Sequence, residues 1–146
     1  MNATVGEVYT DTFEHSFDEK GRVVVPSEWR SEAHEKRLHV MPSQEGCLKV
    51  YPASFLNEQK NRLAGASFQD PRRKQLENLA RIIQSAECDQ QGRIMVKSEL
   101  RKGATLSKET ILVGCLDHFE IWDRKLWKGK AGVATSFEDV MGQLGA

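Results

Sequence analysis

The 146-residue chain carries a gapless internal repeat, and this repeat constrains its fold more than any other feature. Shifted by 71 positions, Asp18-Glu19-Lys20-Gly21-Arg22-Val23-Val24-Val25-Pro26-Ser27-Glu28-Trp29-Arg30 lies over Asp89-Gln90-Gln91-Gly92-Arg93-Ile94-Met95-Val96-Lys97-Ser98-Glu99-Leu100-Arg101. Seven of these thirteen positions are identical, and three more exchange one apolar side chain for another. The same shift places Val40-Met41 on Ile111-Leu112 and Leu48-Lys49-Val50-Tyr51 on Phe119-Glu120-Ile121-Trp122, so the match spans about 18–56 and 89–127. A unit made twice, with too little core in either copy, packs its copies together about a pseudo-twofold axis. The expectation is one domain of two interleaved halves, which the length also suits.

Inside each half the pattern is that of strands. Val23-Val24-Val25 and Ile94-Met95-Val96 are short apolar runs bounded by glycine and a polar turn. Cys47 to Tyr51 and His118 to Trp122 alternate, which puts Leu48 with Val50 and Phe119 with Ile121 on one face. Ser27 and Ser98 are placed to cap short helical turns. Between the halves, Ser54 opens a helical stretch that ends by Gly65, and Asp70-Pro71 starts a second helix. Its Leu76, Leu79, Ala80 and Ile83 form one apolar stripe. The expected organisation is a first half over 5–56, linking helices over 57–84, a second half over 85–128 and a weakly ordered tail over 129–146. The fold class is mainly β with short helices (α+β).

Composition narrows the functions. Lys plus Arg and Asp plus Glu each number 21, so any affinity for nucleic acid must come from locally placed cations. Residues 58–74 hold Lys60, Arg62, Arg72, Arg73 and Lys74 against Glu58 and Asp70, and 97–108 hold four cations against Glu99, patterns that solvated helix faces also show. No apolar run reaches the ~18 residues of a membrane helix, and Met1 to Glu7 show no basic-then-apolar leader, so a soluble cytoplasmic protein is expected. Cys47, Cys88 and Cys115 are odd in number and lack a Cys-x-x-Cys, which predicts free, buried or half-buried thiols and no thiolate metal site. His15, His34 and His39 lack metal-ligand spacing, and no phosphate-binding glycine loop occurs. A catalytic group from Cys115, Asp117 and His118 is set aside: on a continuous strand Cys115 and His118 face opposite sides, and the repeat counterparts Gln44 and Cys47 do not reproduce it. The expectation is a non-enzyme with no cofactor, no metal and no small-molecule substrate.

The most faithfully duplicated element is Asp-x-x-Gly-Arg, at Asp18/Gly21/Arg22 and Asp89/Gly92/Arg93. An aspartate accepts backbone N–H groups in such a turn, and glycine supplies the positive φ of a strand junction. These motifs, with Phe13 to Arg30, the linking helices and Leu112-Val113-Gly114 through His118 to Asp123, resemble the MraZ family of bacterial transcriptional regulators, built from two tandem SpoVT/AbrB-like halves. The resemblance covers nearly the whole chain up to about Lys128.

It implies a pseudo-twofold swapped-hairpin β-barrel of AbrB type. It also implies sequence-specific binding of double-stranded promoter DNA before the cell-division and cell-wall gene cluster, including the protein's own operon, through direct repeats read by a ring-like homo-oligomer at the nucleoid. Carried onto this chain, Arg22 and Arg93 read DNA, Asp18, Gly21, Asp89 and Gly92 shape and orient their loops, and Lys20 contacts phosphate. Two departures stand out: Lys20 has Gln91 as its counterpart, and Lys97 replaces the proline found at Pro26. The competing reading is an AbrB-like antitoxin or RNA-binding module, against which stand the short non-repeated tail and the few aromatics suited to base stacking.

Overall fold

Among the described residues, eight strands carry the chain's apolar alternation: β1 (Thr12–Ser16), β2 (Arg22–Val24), β3 (Arg37–Pro42), β4 (Leu48–Pro52), β5 (Gln84–Glu87), β6 (Arg93–Met95), β7 (Glu109–Gly114) and β8 (Phe119–Asp123). The helices are α1 (Ser54–Arg62), α2 (Pro71–Ile82), α3 (Ser98–Gly103), α4 (Arg124–Lys130) and α5 (Phe137–Gln143), with a 3₁₀ turn at Ser27–Trp29. The computed structural model describes residues 7–130 and 136–145, so the expectation for 129–146 falls partly outside the described residues.

Six strands form an antiparallel sheet in the order β1-β7-β8-β4-β3-β5, and β2 pairs with β6 in a separate two-stranded ribbon. Exchanging the halves and reading the sheet order backwards returns the same order, so the repeat is a pseudo-twofold axis in space. In β3 and β7 the offset is 72 instead of the expected 71: Phe13 faces Leu112 while its counterpart Gln84 faces Val40, so Val40 corresponds to Leu112 and not to Ile111. The axis runs between β4 and β8, where Lys49 faces its own counterpart Glu120, and through the ribbon, where Val23 faces Ile94. The halves exchange strands: β1 pairs with β7, and β5 with β3.

The eight residues expected inside, Val23, Val25, Leu48, Val50, Ile94, Val96, Phe119 and Ile121, are each at most 1% exposed. Ribbon and sheet share that core with Tyr9, Trp29, Leu38, Val40 and Leu112. A residue such as Ile94 or Phe119, fully withdrawn from water, contributes about 1.5–3 kcal/mol. Trp29 is locked among Phe119, Phe13 and Tyr9, with ring centroids 4.7, 5.2 and 5.8 Å away, and its indole donates to the Thr10 carbonyl.

The structure differs from the expected barrel in that, among the described residues, the hydrogen-bonded circuit is not closed. β2 and β6, three residues each, pair with one another and apart from the six-stranded sheet. In the turn that leads into β2, Asp18 takes the Lys20 and Arg22 amides on its own carboxylate and bonds the Arg22 carbonyl through its own N–H. The cap assignments are also corrected in part. Asp70 caps α2 through the Arg72 amide, with Pro71 following as expected. Ser27 and Ser98 instead are the first residues of their helical turns, preceded by Pro26 and Lys97, and make no cap bond. Ser54 likewise makes none; its amide and hydroxyl both donate to Glu35. Neither α1 nor α2 contains a buried residue.

The two halves differ informatively beside the ribbon. Gln84 of β5, buried where the first half has Phe13, donates to the Met95 carbonyl at 2.7 Å and accepts the Lys97 amide at 2.9 Å. Lys97 keeps the backbone of Pro26 (φ −58°, ψ 143° against −51°, 142°) while supplying an N–H that proline lacks.

Candidate nucleic-acid interface

Alternation along the ribbon sends Val23 and Ile94 inward and Arg22, Val24, Arg93 and Met95 outward. Each arginine is fixed by the turn that precedes it. Asp18 Oδ1 accepts the amides of Lys20 and Arg22 at 2.9 and 2.8 Å, while its Oδ2 accepts Arg22 Nε at 2.7 Å. Asp89 repeats this with the amides of Gln91 and Arg93, both at 2.9 Å, and with Arg93 Nε at 2.9 Å. Backbone amide bonds, led by that of the motif arginine, hold both carboxyls below their ordinary range. In each case it is Nε that makes the short bond to the aspartate. The two sites also touch across the axis, with Arg93 Nη1 at 3.8 Å from Asp18 Oδ2.

Gly21 and Gly92 close these turns at φ +78° and +77°, a conformation that disfavours other residues. Space adds a second reason. A Cβ on Gly92 would stand 2.5 Å from Arg30 Cζ, and one on Gly21 would stand 2.8 Å from an Arg101 terminal nitrogen. Each half therefore lays an arginine over the glycine of the other half. Arg30 Nε donates to the Val25 carbonyl and Arg101 Nε to the Val96 carbonyl, at 2.7 and 3.0 Å. Arg30 and Arg101 were missed as site residues by sequence reasoning, although their identity within the repeat was the available signal. The structure thus brings Asp18, Gly21, Arg22, Asp89, Gly92 and Arg93 together about one axis, with Lys20 on the first turn and Gln91 on the second.

A second grouping corrects the strand argument about Cys115 and His118. The strand does not run on: Leu116 takes φ +73°, the Cys115 amide donates to the His118 carbonyl at 2.8 Å, and the chain reverses at once. Cys115 and His118 therefore lie on the same side of a tight turn, beside Glu120. His118 bridges Asp117 and Glu120. Burial works to lower its pKa, but hydrogen bonds to Cys115, Glu120 and Asp117 outweigh this and raise it, while the bond from His118 pulls Glu120 down to about 2.

The family model described as "MraZ protein, putative antitoxin-like" matches residues 8–79 and 83–134, one segment for each copy of the repeat. The chain belongs to the MraZ family. Among its MraZ relatives, the protein named "Transcriptional regulator MraZ" of Mycobacterium sp. (strain KMS) is 35% identical over 122 residues, which cover 83% of this chain and 85% of the relative. The protein of the same name in Mycobacterium tuberculosis (strain ATCC 25177 / H37Ra) is 34% identical over 122 residues, with the same coverage. That of Finegoldia magna is 31% identical over 125 residues, again covering 83% and 85%. Among the described residues, no helix is long and apolar enough to cross a membrane.

Proposed function

We propose that this chain is a sequence-specific regulator of transcription that reads double-stranded DNA with the β2–β6 ribbon. The observation that carries this reading is the pair of axis-related arginines, Arg22 and Arg93, on the outer face of a two-stranded antiparallel ribbon, each held at Nε by its own aspartate. A β-ribbon fits the major groove, and a guanidinium edge matches O6 and N7 of guanine bidentately. The aspartates fix that edge before DNA arrives, which lowers the entropy lost on binding. Lys20 serves one phosphate on the first side only.

The reading extends to the swapped-hairpin AbrB-type unit, with halves at 5–56 and 85–128 joined by 57–84 and followed by the tail at 129–146. It also covers cytoplasmic action at the nucleoid on the cell-division and cell-wall cluster, including the chain's own promoter. Two reading arginines per chain are few for high specificity, whereas chains of a ring-like homo-oligomer on consecutive direct repeats gain through effective concentration. Exposed Phe68 and Leu126 are available as contact anchors for such assembly.

Chromatin recovery of the tagged protein in its native cell identifies the operator, and binding to that duplex and a scrambled one then tests the site. Arg22→Ala and Arg93→Ala are each expected to weaken specific binding by about 1–3 kcal/mol while sparing the scrambled duplex. Lys20→Ala is expected to weaken both and to lower the salt slope by about 1. Equal loss on both duplexes for the arginine variants refutes base reading. The antitoxin-like wording of the family description favours the second reading, an antitoxin or RNA-binding module; RNA that displaces the operator duplex at equal concentration supports it.

A further inference from the structure

The β7–β8 turn holds a cluster that DNA reading does not use. The Cys115 thiol, a ring nitrogen of His118 and a carboxylate oxygen of Glu120 all lie within 4.8 Å of one another, with His118 and Glu120 buried and Cys115 half-buried. One thiolate, one imidazole and one carboxylate are a donor set suited to zinc. Zinc–ligand distances of ~2.0–2.3 Å at tetrahedral angles put donor atoms about 3.3–3.6 Å apart. His118 Nε2 and Glu120 Oε2 already stand 3.2 Å apart.

The surroundings hold the imidazole in a metal-binding orientation. Its Nδ1 pairs with Asp117 Oδ1 at 2.8 Å, the outer carboxylate partner that metal-bound histidines commonly use, and this leaves Nε2 toward Glu120. Tyr51 stacks flat on the ring, 4.4 Å away and 8° from parallel. Trp122 Nε1 donates to Glu120 Oε1 at 2.9 Å, so Oε2 is the oxygen turned to His118. The competitor is Lys49, whose ammonium lies 3.3 Å from that oxygen. Lys49 also holds Glu45 at 2.8 Å and can keep this partner when Oε2 turns to a cation. The repeat counterparts Gln44, Cys47 and Lys49 supply neither imidazole nor carboxylate, so the repeat does not duplicate the cluster.

We propose that Cys115, His118 and Glu120 form a three-ligand site for a thiophilic divalent cation of the zinc type, with Asp117 orienting His118 and the fourth position on the exposed side of the turn. Binding releases the thiol proton and the proton on Nε2, and the cation takes their places.

Cobalt(II) titration of the metal-free full-length protein is expected to give a thiolate-to-cobalt charge-transfer band and the visible bands of a tetrahedral ion, saturating at one equivalent and displaced by zinc. Cys115→Ser abolishes the charge-transfer band, Cys88→Ser retains it, and Asp117→Asn weakens affinity about 10–100-fold. On the unaltered protein, zinc slows alkylation of Cys115 as read by mass spectrometry. A wild-type chain without the charge-transfer band, a band that survives Cys115→Ser, or an alkylation rate indifferent to zinc overturns the proposal and leaves the cluster as an ion-pair network around His118.

Discussion

Replacing Lys97 with the residue its repeat partner carries isolates one hydrogen bond. The backbone of Lys97, φ −58°, already suits proline, so Lys97→Pro introduces no strain and removes unfolded-state freedom, a gain of about 0.4–1 kcal/mol. It also deletes the amide that Gln84 Oε1 accepts at 2.9 Å, and Gln84 is 7% exposed, so the orphaned oxygen costs about 1–3 kcal/mol. The loss outweighs the gain, leaving a net destabilisation of about 1 kcal/mol, or ~2–4 °C in Tm for a chain of this size. The second background gives the sharper test. In Gln84→Leu the acceptor is gone and the Lys97 amide is itself unpaired, so the same Lys97→Pro removes an orphan donor and stabilises the protein. Equilibrium urea unfolding of the wild type, both single variants and the double variant reads the sign change, provided the m-value is constant. An equal effect of Lys97→Pro in both backgrounds refutes the coupling.

Gly92→Ala is expected to cost about 1–2 kcal/mol from its left-handed backbone, plus the cost of displacing Arg30; Gly46→Ala, at φ +93° in open space, measures the backbone part alone in the same melts. The Asp18 and Asp89 carboxyls are held below their ordinary pKa, so their contribution to stability is complete above the usual carboxylate range and is lost as pH falls through their lower folded values. Acid unfolding followed by fluorescence is expected to come at higher pH in Asp18→Asn/Asp89→Asn, and an unchanged acid limb contradicts the assignment. Residues 1–70 and 71–146 expressed separately are expected to lack cooperative unfolding, since each half lends a strand to the other; a sharp two-state transition from either one refutes the interleaving.

The duplicated pattern was legible because the repeat keeps its 71-residue offset through the ribbon and through β4 and β8 and its apolar positions alternate: it indicated the paired halves, the ribbon residues and the core from Val23 to Ile121, while the one-residue slip between β3 and β7 showed only in the strand pairing. The Asp-x-x-Gly-Arg turns were equally readable, since aspartate and glycine each have a single good use there. Other features were hidden for physical reasons. Leucine is rare at positive φ, so nothing at Leu116 announced the reversal that joins Cys115 to His118. The swap of Phe13 and Pro26 for Gln84 and Lys97 is a correlated exchange between residues thirteen apart, visible only once the Gln84 side chain is seen on the Lys97 amide. The separate pairing of the ribbon was hidden because strand periodicity does not report which strands share a ladder.

The strand exchange has a consequence for how the protein is made. β1 ends at Ser16, but its partner β7 begins only at Glu109 and the pairing is backed by β8, which ends at Asp123. On a ribosome adding ~5–20 residues per second, the first half, finished at residue 56, waits roughly 3–13 s for β8 to be completed at Asp123. During that interval Val23, Val25, Leu48 and Val50 lack the part of their native cover that Ile94, Leu112, Phe119 and Ile121 supply, so a pause in translation before β7 lengthens their exposure to aggregation and to chaperone capture.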